Sequence, residues 1–131
     1  MTYLKTLIAC VAICAGPALA DPIEGLWKTS PDDHGDIGFI QMAQCGNTYC
    51  GKLVRAQNKA GQQITPNTIG RKIVWNVASS GQGSYSGRIY APDRDKEYVS
   101  KLKLSGSTLK VSGCVMGGLL CREGGTWKKV N

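Results

Sequence analysis

From Ile23 to Val130 the chain alternates short apolar-rich runs with clusters of Gly, Asn, Asp and Pro. Within "EYVSKLKL", Tyr98, Leu102 and Leu104 share one side, with Val99, Lys101 and Lys103 opposite. Within "STLKVSGCV", Leu109, Val111 and Val115 share a side and Lys110 opposes them. A period of two with one wet side is the pattern of antiparallel sheet. Runs of this kind predict strands over 23–29, 36–44, 49–56, 71–78, 83–91, 97–104, 107–115 and 121–130. No segment carries a helical period. In "PDRDK" Pro92 presets a turn and Asp93 can accept backbone bonds. Short strands joined mostly by tight turns suggest a sandwich or an up-and-down barrel, and an antiparallel barrel of about eight strands is the expectation. The segment "QNKAGQQITPNTIG" (57–70) departs from this rhythm. It is long, polar and flexible by composition, and reads as a surface excursion or a binding loop.

The start of the chain has a different character. Lys5 precedes an apolar run from Leu7 to Ala15, and Ala18-Leu19-Ala20 has the form of a cleavage site. This is a secretory signal peptide over 1–20, cut between Ala20 and Asp21. The apolar run falls short of the ~20 residues that a membrane span needs. Cys14 follows the bulky Ile13, which argues against lipid attachment there. The mature chain is then one domain over 21–131, expected in the periplasm or secreted, monomeric and not membrane-spanning. Sixteen Lys+Arg become fifteen without Lys5, against nine Asp+Glu, a formal charge of +6. The basic residues are scattered along the sequence, which is the mark of a solvated surface. A basic exported protein can also meet anionic lipid head groups or acidic polysaccharide. Nucleic acid is excluded as a partner by the compartment and by the lack of a binding motif.

Export changes the meaning of the cysteines. Cys10 and Cys14 leave with the signal, and Cys45, Cys50, Cys114 and Cys121 remain. An even set in an exported chain implies disulfides. Four cysteines allow three pairings. In "CGNTYC" the turn-forming Gly46-Asn47 lies between the two cysteines, and in "CVMGGLLC" Gly117-Gly118 does. Each pair would staple its own hairpin, giving Cys45–Cys50 and Cys114–Cys121. Zinc would want C-x-x-C knuckles, and a redox pair would want C-x-x-C before a helix. Neither spacing is present, and no metal or cofactor is expected.

Candidate chemistry is sparse. "SPDDHGD" (30–36) gathers Asp32, Asp33, Asp36 and the sole histidine, His34. Its spacing does not match a calcium loop, and it reads as a polar turn. "ASSGQGS" (78–84) lacks a nucleophile elbow. Asp93, Asp95 and Glu97 sit among Lys and Arg as turn residues. With no nucleophile–base pair in view, the protein is not expected to be an enzyme. Trp75, Tyr85, Tyr90, Tyr98 and Trp127 are the large strand aromatics, which in a barrel either fill the core or line a cavity.

Taken together, "GLW" (25–27), "CGNTYCGKLV", "GRIYAPDRDKEY", "VSGCVMGGLLC" and "GTWKKV" resemble a family of small exported bacterial proteins, catalogued as domain of unknown function twenty-one forty-seven. The likeness runs from Ile23 to Val130 and brings no activity with it. The G-x-W also resembles the lipocalins and other calycins. There the tryptophan closes one barrel end and a basic side chain from the last strand covers it. That resemblance gives Trp27 the closing role. Lys128 or Lys129 stands where arginine is usual, and Lys129 is taken as the partner. The expected fold is thus a lipocalin-like all-β barrel stapled by two hairpin disulfides. The expected function is binding of a small apolar or amphipathic, lipid-like ligand at the barrel mouth or interior. Trp75 and Tyr90 would be its contacts, with a basic rim for an acidic head. The alternative is a solidly packed barrel that contacts an envelope partner and takes no small ligand.

Overall fold

The computed structural model describes residues 20–130. The expected leader, apart from Ala20, lies outside them. Nine strands follow in order: β1 Gly25–Lys28, β2 Ile37–Cys45, β3 Thr48–Gln57, β4 Gln63–Ile64, β5 Lys72–Gly81, β6 Ser84–Ala91, β7 Lys96–Ser105, β8 Thr108–Val115 and β9 Leu120–Lys129. They form one antiparallel sheet in the order β2-β1-β9-β8-β7-β6-β5-β3, and β3 returns to pair with β2. Eight strands therefore close a barrel, and the two-residue β4 lies beside the end of β3. Closure removes the sheet edges that an open array would expose.

The strands alternate in direction, so the barrel has two distinct ends. One end carries the β1–β2 loop, the segment between β3 and β5, the β6–β7 turn and the β8–β9 loop. The other carries the N-terminal segment and the tight turns at Gly46, Gly83 and Gly106, all at positive φ. A short N-terminal span folds across this second end. Asp21 Oδ1 accepts the Ile23 N–H at 2.9 Å and the Tyr85 O–H at 2.6 Å. Burial, followed by that carboxylate bond, pushes the Tyr85 phenol well above its ordinary pKa. Ile23 is thereby held as a plug, fully buried.

The interior is filled. Trp27, Val74, Val77 and Leu109 have no exposed surface, and Ile40, Met42, Leu102 and Val111 have at most 2%. Exposure to a water-sized sphere includes the walls of internal voids, so none of these side chains borders a space that water could enter. Glycine is needed where large neighbours meet. A Cβ on Gly51 would lie 2.5 Å from Met42 Sδ, 2.6 Å from Ile40 Cγ2 and 2.9 Å from Val74 Cγ2. Gly51→Ala is therefore expected to destabilise the barrel by about 1–3 kcal/mol through overpacking. Urea unfolding would show this as a lower midpoint, whereas an unchanged midpoint would mean that the interior has slack. Toward the end with the β1–β2 and β6–β7 connections, the inward Ile89 and Tyr98 keep partial exposure.

The 57–70 segment is more ordered than its composition suggests. Ala56 and Gln57 pair with Ile64 and Gln63. The turn between them is organised by one side chain: Asn58 Oδ1 accepts the N–H groups of Ala60 and Gln62 at 3.0 and 2.9 Å. A single well-placed Asn thus turns a polar stretch into a small hairpin. The 30–36 turn works the same way, with Asp32 Oδ1 accepting from the His34 and Asp36 N–H groups.

Candidate functional site

Both cysteine pairs form. Cys114 stands directly opposite Cys121 in the β8–β9 ladder, with their Cα atoms 4.0 Å apart. Cys45 and Cys50 bridge diagonally across the β2–β3 hairpin at 5.8 Å. The second of these bridges borders the cleft considered next.

Trp75 and Tyr90 both project from the outer wall. Val74 faces the core and pairs with Ile89, so Trp75 beside it faces out. Its cross-strand partner, Arg88, reaches Glu97 Oε2 at 3.9 Å on the surface. Tyr90 pairs with that same Glu97 and shares its outward side. Tyr90 is nevertheless buried, because the Arg71 guanidinium lies flat over its ring at 3.4 Å from the centroid. Its O–H donates to Asp95 Oδ1 at 2.7 Å, and this bond, with burial, raises the phenol's pKa. By register both rings stand on the outer side of the sheet, yet Tyr90 is part of the buried apolar cluster and Trp75 packs against it. The Trp75–Asn76 region interrupts the β5–β6 ladder, with Asn76 at φ 53, which adds a residue between the inward Val74 and Val77.

Around Trp75 the outer wall forms a cleft of about 500 Å³, bounded by the Cys45–Cys50 bridge, Arg71, Lys72 and Glu97. That volume lies within the range of small-molecule sites, ~300–1,000 Å³. Its floor is aromatic and sulfur-rich and one flank is cationic. Lys72 also stands opposite Lys52 in the β3–β5 ladder. Like charges placed opposite one another repel, so cation density here works against the fold until an anion arrives. Among the described residues the one ion pair is Arg88–Glu97, so Lys52, Arg71 and Lys72 form none.

At the closed end, the Trp27 Nε1–H donates to the Ile23 carbonyl at 2.8 Å. The Lys129 ammonium sits 5.5 Å from the Trp27 ring centroid and donates to the Pro22 carbonyl at 2.9 Å. Lys128 turns instead to Thr108 Oγ1. The pairing of Trp27 with Lys129 rather than Lys128 follows from register, since Trp27 lies opposite Lys129.

A closed antiparallel barrel with eight strands, a G-x-W tryptophan at its sealed end and loops at the other defines a lipocalin-like small barrel. The chain belongs to the family described as an uncharacterized protein conserved in bacteria (DUF2147), whose profile matches residues 25–129. Among solved structures it is similar to protein HP1028 from the human pathogen Helicobacter pylori, described as belonging to the lipocalin family. The TM-score is 0.66 at 14% identity, over 86% of this chain and 85% of that one. At that identity the likeness is one of fold. No curated protein matches the sequence.

Proposed function

We propose that this protein is an exported, monomeric binding protein for a small amphipathic ligand with an acidic head, and that the ligand sits in the outer cleft at Trp75. One observation carries the reading: an aromatic wall adjoins Arg71 and Lys72, which form no ion pair, while the cleft's one carboxylate, Glu97, is engaged by Arg88. An alkyl chain would cover the Trp75 face and the Cys45–Cys50 bridge. The head would meet Arg71, whose planar group is already oriented by stacking on Tyr90, so little order is lost on binding. The lipocalin-like barrel supports the reading as a scaffold, with the ligand on its wall rather than in its filled centre. Two disulfides fit an oxidising compartment, and the single domain over 21–131 is part of the same proposal. Binding needs no catalytic group, and none is assigned. The filled interior also favours a second reading, in which the outer wall meets an envelope partner and no small ligand is taken.

Trp75 provides the test. Trp27 and Trp127 are buried, while Trp75 is partly open and should dominate any change in emission on binding. Dodecanoate titrated into the mature chain is expected to give a saturable shift, and dodecylamine none. Arg71→Gln should weaken dodecanoate binding by about tenfold or more, the value of a charge-assisted hydrogen bond. Trp75→Ala, followed by calorimetry, should do the same. No saturation, or equal affinity in wild type and Arg71→Gln, would remove the cleft as a ligand site and leave the second reading.

A further inference from the structure

The wall of the barrel away from the Trp75 cleft shows a different combination of features. The β8–β9 connection, stapled at its base by Cys114–Cys121, exposes four large apolar side chains: Val115 at 47%, Met116 at 68%, Leu119 at 81% and Leu120 at 59%. Single exposed apolar residues are ordinary, but four together on a stapled tip are not. The backbone there is held in an uncommon form. Met116 adopts φ 56, followed by Gly117 and Gly118 at φ 67 and 96. A left-handed non-glycine residue persists where its surroundings enforce it, and such sites are concentrated at functional positions.

The tip does not continue the barrel axis. It folds back over the outer face of β7: a Cβ on Gly118 would contact Lys101 and Val99, and Lys101 Nζ donates to the Gly118 carbonyl at 3.0 Å. Below it the same wall is cationic. Lys101, Lys103 and Lys110 line a groove of about 630 Å³ together with Tyr85, Leu102 and serines of β5, β6 and β8. Lys103 and Lys110 are direct cross-strand partners, a like-charge pair that costs stability in the absence of an anion. Glu123 is the carboxylate on this groove, and none of the three lysines forms an ion pair. The barrel end beside the tip carries Asp32, Asp33 and Asp36 in one loop and Asp93 and Asp95 in another, with His34, Lys59 and Arg94 among them. That acidic rim disfavours end-on approach to a negative surface and leaves the β7–β9 wall as the contact face.

We propose that this wall docks on an anionic lipid bilayer: Met116, Leu119 and Leu120 enter the headgroup boundary and Lys101, Lys103 and Lys110 meet the phosphates. Charge complementarity selects a membrane as the occupant. An apolar tip flanked by unpaired lysines is the composition that binds an interface by shallow insertion plus attraction to anionic lipid. Successive lysines on one strand face are ~7 Å apart, comparable with the depth of a headgroup layer. The inference goes beyond the ligand cleft and uses none of its residues.

Vesicle sedimentation of the chain 21–131, which holds the whole closed barrel, tests it. Vesicles of phosphatidylcholine with about 30 mol% phosphatidylglycerol are expected to retain the protein at low salt, and pure phosphatidylcholine or high salt to release it. The double variant Lys103→Gln/Lys110→Gln removes a repulsive pair, so folding is not at risk. It should lower partitioning by about thirtyfold, roughly fivefold for each of the two surface lysines. Leu119→Ser/Leu120→Ser alters exposed positions and should also release the protein. Arg71→Gln should bind vesicles as wild type does, which separates this result from the fate of the ligand cleft. Absence of sedimentation with anionic vesicles overturns the proposal. So does retention that is unchanged in both double variants. A self-association that Leu119→Ser/Leu120→Ser abolishes, with no vesicle binding, overturns it in favour of a protein contact.

Discussion

Trp27→Ala is expected to lower the stability of the barrel by about 3–5 kcal/mol, the usual cost of deleting a buried tryptophan. The side chain has no exposed surface, and its loss opens a void at the sealed end. Three further contacts fail with it. The Ile23 carbonyl loses the indole N–H, the Lys129 ammonium loses its ring, and the Ile23 plug loses the surface against which it is held. Trp27→Phe retains an aromatic body and forfeits mainly the hydrogen bond, so a cost of about 1–2 kcal/mol is expected. Urea unfolding of both variants, with the slope checked for constancy, measures these values. Trp75→Ala is the internal comparison: its ring lies on the outer wall and should cost far less. If Trp27→Ala and Trp75→Ala prove equal, Trp27 does not close the barrel. A loss near 5 kcal/mol would approach the whole stability of some domains of this size, ~5–15 kcal/mol.

The contrast between these two tryptophans also shows what the sequence can disclose. Trp27 was legible because it sits in a G-x-W on a short first strand with a lysine pair near the chain's end. Its actual partner needed only the ladder register. β7 was legible because Lys and Leu alternate from Lys101 to Leu104, whereas β8 follows its expected face only at Leu109 and Val111: Val115, expected beside them, is exposed, and Cys114 is buried in its bridge. "KIVWNV" offers no such alternation, since Ile73, Val74, Trp75 and Val77 are all apolar. Which side Trp75 takes depends on the Asn76 irregularity, a backbone feature with no period of its own. Tyr90 was harder still. Its burial comes from Arg71, on another strand's approach, lying over an outward ring. The lysines looked scattered because closeness was judged along the chain. Pairing brings Lys103 opposite Lys110 and Lys52 opposite Lys72, so both cationic patches are products of register. The 57–70 segment concealed its order in the side chain of Asn58, which composition counts only as polar.

Reduction of both disulfides is expected to remove about 4 kcal/mol, roughly 2 kcal/mol for each small ring, mostly by freeing the unfolded chain. The rings span sequence separations of 5 and 7, so each constrains little of the unfolded ensemble, yet together they match the deletion of a core tryptophan. The filled core should keep the reduced chain folded at low denaturant, with an unfolding midpoint well below that of the oxidised chain. Urea titration with and without reductant measures the difference, and equal midpoints would mean that the bridges merely decorate hairpins already fixed by their turns. Paired substitutions separate the two rings. Cys45→Ala/Cys50→Ala removes a bridge that borders the Trp75 cleft and should weaken dodecanoate binding as well as stability. Cys114→Ala/Cys121→Ala frees the base of the apolar tip, whose remaining anchors are the β7 contacts and the Lys101 bond to Gly118. A loosened tip loses its preset presentation, so vesicle retention should fall in that variant and persist in the first. The two staples thus serve different walls of one barrel: Cys45–Cys50 borders the Trp75 cleft, and Cys114–Cys121 fixes the base of the apolar tip beside Lys101.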